Sequence, residues 1–181
     1  MKRGIAFGVS VFLLALGRPE SLVIAPTAAH VVARHMAAQP GKPIVFRADL
    51  TIAQEVPSPG TLSAGVGAGV FLLNEDRTEL AFAIAFTGLS GPLMNAHFHT
   101  GAFGVAGPVR RTICGAPPVP EVGPCPAAPA LLTGTWKSTD TQPLNAERVQ
   151  ELLEGKIYVN LHTAANPAGE IRGQVIPVST P

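Results

Sequence analysis

The chain has 181 residues, of which 46% are hydrophobic and 14% charged, with 19 glycines and 18 prolines. Glycine and proline far exceed their usual combined share of about 12%, which excludes long helices, while a mean hydropathy of +0.30 excludes disorder and the lack of a glycine period excludes collagen. A net charge of +1 without a basic stripe leaves no electrostatic footprint for nucleic acid, so composition predicts one loop-rich, mostly β domain.

The N-terminus resembles a secretory signal: Met1-Lys2-Arg3 is followed by an apolar run from Gly4 to Leu16, too short to span a bilayer comfortably. Small residues permit cleavage before Arg18, after Ala15 and Gly17, or before His30, after Thr27 and Ala29. An uncleaved anchor is the competing reading, because Leu22 to Ala25 extends the apolar character beyond Arg18-Pro19-Glu20. Removal of residues 1–29 takes away Lys2, Arg3, Arg18 and Glu20 and leaves a net charge of about −1. Residues 30–42 are expected to be a flexible leader and 43–178 the domain, with the chain expected in the periplasm or secreted. Cleavage before His30 would create an N-terminal amine and imidazole able to chelate copper together.

Alternation of period two begins near Ile44 and predicts strands with one buried face. The first is Phe46 to Ile52, with Phe46, Ala48, Leu50 and Ile52 on one side and Arg47, Asp49 and Thr51 on the other. Ser63 to Leu73 follows, where Gly65, Gly67 and Gly69 suggest a bulge or a close backbone approach. After the turn Asn74-Glu75-Asp76-Arg77 comes Leu80 to Phe86, with large residues facing the core and alanines expected under a loop or neighbour. Met94 to Thr100, Val109 to Ile113, Leu131 to Lys137, Lys156 to Thr163 and Glu170 to Val178 complete about eight strands, the material of an all-β Greek-key sandwich or barrel. One short helix is predicted at Ala146 to Glu154, with Asn145 as N-cap, Glu147 in the first turn, Val149, Leu152 and Leu153 as its apolar stripe and Gly155 beyond its end.

Cys114 and Cys125 bracket a Gly- and Pro-rich stretch that cannot form a helix. In an exported chain a disulfide is the natural reading, worth on the order of 3 kcal/mol for a loop of about a dozen residues. Thiolate ligation of a metal is the alternative, although no histidine or further cysteine stands at a zinc spacing.

The chemistry-bearing residues fall on strand faces. His97 and His99 share one side of their strand, away from Ala96 and Phe98. In Ile157 to His162 the apolar set leaves Tyr158, Asn160 and His162 together, and Glu170, Arg172 and Gln174 likewise oppose Ile171 and Val175. If these strands are neighbours, three imidazoles meet, a donor set suited to copper or zinc, with Asn95, Asn160 or Glu170 as partners of the ligands and Tyr158 and Arg172 lining the site. The competing reading makes His97 and His99 hydrogen-bonding partners of loop backbone and His162 an anchor for the turn Thr163 to Pro167. Glu170 and Arg172, two apart on one face, suggest an edge salt bridge. Gly101 to Pro108 reads as a tight loop beside the cluster. No nucleophile elbow, phosphate loop or dinucleotide fingerprint occurs, and ten aromatic residues are too few for stacking platforms.

Two blocks carry a family resemblance: Ala96-His97-Phe98-His99-Thr100-Gly101 through Gly107-Pro108-Val109, and Tyr158-Val159-Asn160-Leu161-His162-Thr163 through Asn166-Pro167-Ala168-Gly169-Glu170-Ile171-Arg172-Gly173-Gln174. With Phe46 to Ile52, Glu55-Val56-Pro57 and Gly88-Leu89-Ser90 they resemble the CHRD (chordin) domain family over roughly residues 43–178. That resemblance implies an exported β domain, single in many bacterial proteins and repeated in the animal protein chordin, which binds secreted growth factors. It implies no activity for a single copy, and the Cys114–Cys125 loop looks like an insertion between the blocks. A weaker likeness is to the copper,zinc superoxide dismutase family, which also carries His-x-His on a barrel strand. No histidine lies between His99 and His162, so that family's bridging ligand and zinc subsite have no counterpart.

Three functions follow as expectations. The first is a non-enzymatic exported binding module holding copper or zinc through His97, His99 and His162. The second is a copper redox enzyme with Arg172 steering an anionic substrate. The third is a metal-free structural or protein-interaction domain with its histidines hydrogen-bonded in the interior. The sequence names no protein partner and offers no stable membrane span once a signal is cleaved.

Overall fold

Residues that alternate in polarity form the strands, and the buried side of each strand decides how they close. A computed structural model describes residues 42–127 and 130–178. The expected secretion signal, both expected cleavage positions, His30 and the expected leader up to residue 41 lie outside the described residues.

Strand β1 (Ile44–Thr51) buries Phe46, Ala48 and Leu50 and exposes Arg47 and Asp49, then tightens into a single 3-10 turn at Ile52–Gln54. β2 (Val66–Leu73) and β3 (Glu79–Thr87) continue an antiparallel meander in unbroken register. The glycines of β2 therefore serve close approach rather than a bulge: a Cβ on Gly69 would lie 2.7 Å from the Phe71 ring. β3 turns Leu80, Phe82, Ile84 and Phe86 inward, but Ala83 and Ala85 face solvent, correcting the expectation that a loop or neighbour covers them.

The second half is built around β4 (Leu93–Thr100) and β7 (Ile157–Thr163), which pair directly. β5 (Val109–Cys114) lies on the far side of β4, and β6 (Ala130–Lys137) pairs with β3. The expected last strand divides in two: β8 (Ile171–Gln174) pairs with β7 and β9 (Ile176–Pro177) with β1. The break falls at Val175, whose N–H donates to Ile157 O, while beyond it Val178 N–H donates to Val45 O beside β1.

The strand order is β5-β4-β7-β8-β1-β2-β3-β6, a nearly closed antiparallel barrel. Its ends β5 and β6 face each other without a ladder, across a cleft of about 540 Å³ lined by Arg111, Ile113, Leu132 and Gly134. Because β7 returns beside β4, strands β4 to β7 make a Greek key around this seam. Inside, Phe98 meets Phe71 and Phe82 edge-on, at centroid distances of 5.9 and 5.4 Å, and stacks on Trp136 at 5.2 Å. Trp136 keeps its one polar atom satisfied by donating Nε1–H to Gln142 O.

The one α-helix among the described residues, α1 (Ala146–Leu153), starts where predicted. Asn145 Oδ1 accepts from Arg148 N–H at 3.0 Å, and Val149, Leu152 and Leu153 are buried. Gly155 follows with φ +65°, the left-handed conformation that ends helices.

Candidate metal centre

Register brings the polar faces of three strands into one patch. Across β4 and β7, Asn95 is opposite His162, His97 opposite Asn160, and His99 opposite Tyr158; across β7 and β8, Asn160 is opposite Arg172 and Tyr158 opposite Gln174. The intervening residues, Phe98, Val159, Leu161 and Ile171, fill the core behind. All seven residues of β7 are buried, because loops roof the polar face rather than leaving it to water.

Those loops determine the protonation of the imidazoles. His97 Nε2 bonds to Ala116 O, His99 Nδ1 to Gly107 O at 2.9 Å, and His162 Nδ1 to Pro167 O at 3.1 Å. A carbonyl oxygen only accepts, so each of these nitrogens carries the hydrogen and each remaining nitrogen is a lone pair. The three free atoms are His97 Nδ1, His99 Nε2 and His162 Nε2. His97 Nδ1 and His162 Nε2 face each other at 3.1 Å, and His99 Nε2 is buried with no partner. Ligand atoms from the three rings lie within 4.8 Å of one another.

Burial also keeps the rings neutral. Desolvation lowers His97 below the usual imidazole range and brings His99 and His162 to about 4; neighbouring imidazoles add to the effect on those two, and the backbone bonds only partly oppose it. The cluster thus presents neutral imidazole lone pairs that could hold a metal ion.

Gly107 is central to this arrangement. Its N–H donates to Tyr158 Oη at 3.0 Å and its carbonyl accepts from His99; a Cβ there would collide with Thr100 O. Tyr158 stacks on His99 at 4.8 Å with an interplanar angle of 13°. On the β8 side, Arg172 Cζ lies 3.4 Å from the Tyr158 ring centroid. Arg172 is only 2% exposed and donates to Ala102 O and Gln174 Oε1. A guanidinium enclosed in this way does not steer anions from solvent, which corrects the role expected for it in a redox enzyme.

Two further expectations are corrected. Glu170 forms no ion pair with Arg172: its carboxylate accepts from Ser90 N–H, Ser90 Oγ and Thr163 Oγ1. Burial would raise its pKa, but these bonds, with one from Ser63, outweigh burial and hold it at about 2. The ligand partners expected to be Asn95, Asn160 or Glu170 are instead the carbonyls of Ala116, Gly107 and Pro167. These bonds are those of the competing reading, in which His97 and His99 partner loop backbone and His162 anchors the turn to Pro167; the sequence did not single out which carbonyls serve His97 and His99.

Cys114 and Cys125 form a disulfide, with their Cα atoms 4.9 Å apart. The bridge ties down the loop that offers Ala116 O to His97, so this segment is part of the centre's wall.

The residue sequence reasoning missed is Glu55. It follows the 3-10 turn, is 5% exposed, and accepts from Asn160 Nδ2 at 3.3 Å through Oε2, while Oε1 has no partner. Asn95 Oδ1 and Asn160 Oδ1 are likewise buried without partners. Gly169, at φ +140°, packs against this pair: a Cβ there would lie 2.5 Å from Asn160 Nδ2 and 2.6 Å from Glu55 Oε2. The only signal was Glu55-Val56-Pro57 itself, a carboxylate just beyond the end of the first strand.

Fold and centre together define a class: a nearly closed antiparallel barrel carrying a buried, loop-roofed polar cluster on the outer face of three adjacent strands. The family model for the CHRD domain matches residues 46–175. The chain therefore belongs to the CHRD domain family, which supports a small β domain with a binding or structural role. No curated protein and no solved structure matches it.

Proposed function

We propose that this chain is an exported CHRD module that binds one divalent transition-metal ion, zinc or copper, through His97 Nδ1, His99 Nε2 and His162 Nε2. One observation carries the reading: three backbone carbonyls assign the ring hydrogens so that three lone pairs converge in a buried space. In a metal-free interior, two acceptors at 3.1 Å would repel and His99 Nε2 would stay unsatisfied. A cation resolves both. Bonds of about 2.05 Å at tetrahedral angles separate ligand nitrogens by about 3.3 Å, close to the His97–His162 spacing. The carbonyl bonds would then orient the ligands and raise their basicity.

Export is supported by the Cys114–Cys125 disulfide and by the N-terminal sequence; among the described residues no helix is long and apolar enough to cross a membrane. Elemental analysis of untagged protein from the exported fraction should find about one zinc or copper per chain. The triple variant His97→Ala, His99→Ala, His162→Ala should contain none. Equal metal in both would remove the three histidines as its ligands, and no uptake by the wild type would leave a metal-free structural domain.

A further inference from the structure

We propose that Glu55 is the charge-compensating group of the metal centre, a buried carboxyl that gives up its proton to solvent when a divalent cation enters. The inference rests on the metal-binding reading and adds a residue that reading does not require. Asn160 connects the two: it is cross-strand from His97, two residues from His162 on the same side of β7, and its Nδ2–H donates to Glu55 Oε2.

The charge balance gives the reason. Three neutral imidazoles bring no negative charge, and Arg172 is a buried cation with no ion pair among the described residues. Its field reaches both His99 and Glu55. Glu170, at the start of β8, is bound to Ser90 and Thr163. A divalent ion added beside Arg172 leaves Glu55 as the carboxyl of this patch with an unpartnered oxygen.

Glu55 also has a proton to give. Burial pushes its carboxyl up to about 7, against the opposing pull of the Asn160 bond, the Arg172 charge and the Val56 N–H. Those are the polar and charged groups that act on it from β7, β8 and its own loop. Entry of a cation favours the carboxylate, so the ion replaces a proton: the cation binds, the O–H bond of Glu55 breaks, and the proton leaves to solvent.

The test is a calorimetric zinc titration of the full mature protein near pH 6, in buffers of differing ionisation enthalpy, on wild type and Glu55→Gln. The wild type should release close to one proton per zinc and bind about tenfold more tightly near pH 8 than near pH 6. Glu55→Gln should release none, show a flat affinity over that range, and bind at least tenfold more weakly near pH 8. Equal proton release and equal affinity in both would overturn the role of Glu55 while leaving the metal site intact; a wild type that takes up no zinc removes the site and this role together. Infrared difference spectra of the wild type decide the matter should the variant not fold. The protonated-carboxyl band present near pH 6 should disappear on zinc addition, and its persistence refutes the proposal.

Discussion

Each histidine of the cluster donates one ring N–H to a loop carbonyl and holds the other nitrogen as a lone pair in a buried space, so protonation is costly in the folded chain. His99 and His162 titrate near 4 when folded and near the ordinary 6.5 when unfolded. Above pH 6.5 both states are neutral and nothing changes. As pH falls towards 4 the unfolded chain gains protons that the folded one refuses, and stability is lost. Glu55 acts oppositely: its folded value of about 7 exceeds the ordinary 4.5, so its contribution is full below 4.5 and disappears as pH rises through 7. The melting temperature of metal-free protein should therefore fall from pH 6.5 to 4, and fall more steeply in Glu55→Gln, where the opposing contribution is gone. Melting curves at several pH values check this; a flat profile would mean the imidazoles accept protons in place.

At the level of elements, the segment between β5 and β6 links covalent structure to the centre. The Cys114–Cys125 bridge closes a loop of about a dozen residues, a constraint worth roughly 3 kcal/mol in the chain-entropy account. The same loop supplies Ala116 O to His97 and Pro117 O to Thr112 Oγ1. Replacing both cysteines by serine should lower unfolding free energy by about 2–4 kcal/mol. It should also weaken zinc binding by about 10-fold or more, since His97 loses the restraint on its ring. Denaturant unfolding and zinc titration measure the two effects separately, and unchanged zinc affinity would show that His97 is oriented without this loop. The helix is simpler: its cap, stripe and terminal glycine are all local signals, and its start agrees with them.

Over the whole molecule, one strand serves two environments. β4 sends Phe98 into the aromatic core between Phe71, Phe82 and Trp136, and His97 and His99 outward beneath the loops. Phe98→Ala should cost about 3–5 kcal/mol in urea denaturation. Because His97 and His99, the proposed ligands, share its backbone, zinc affinity should drop with it although neither is altered; a loss below about 1 kcal/mol would mean the core collapses to fill the gap. Alternation, turn residues and the capped helix were enough, read from the chain alone, to place eight strands, one helix and the side of each strand carrying its polar residues, because those signals are local and have period two or 3.6. Pairing was not local. Only the closed sheet brought β4, β7 and β8 side by side, turned Arg172 and Glu170 to different partners, placed Glu55 beside Asn160, and set three carbonyls against three imidazoles. The physical reason is that hydrogen bonds between distant backbone segments depend on where loops come to rest, and a carbonyl is present in every residue, so nothing in the side-chain order distinguishes the three that matter.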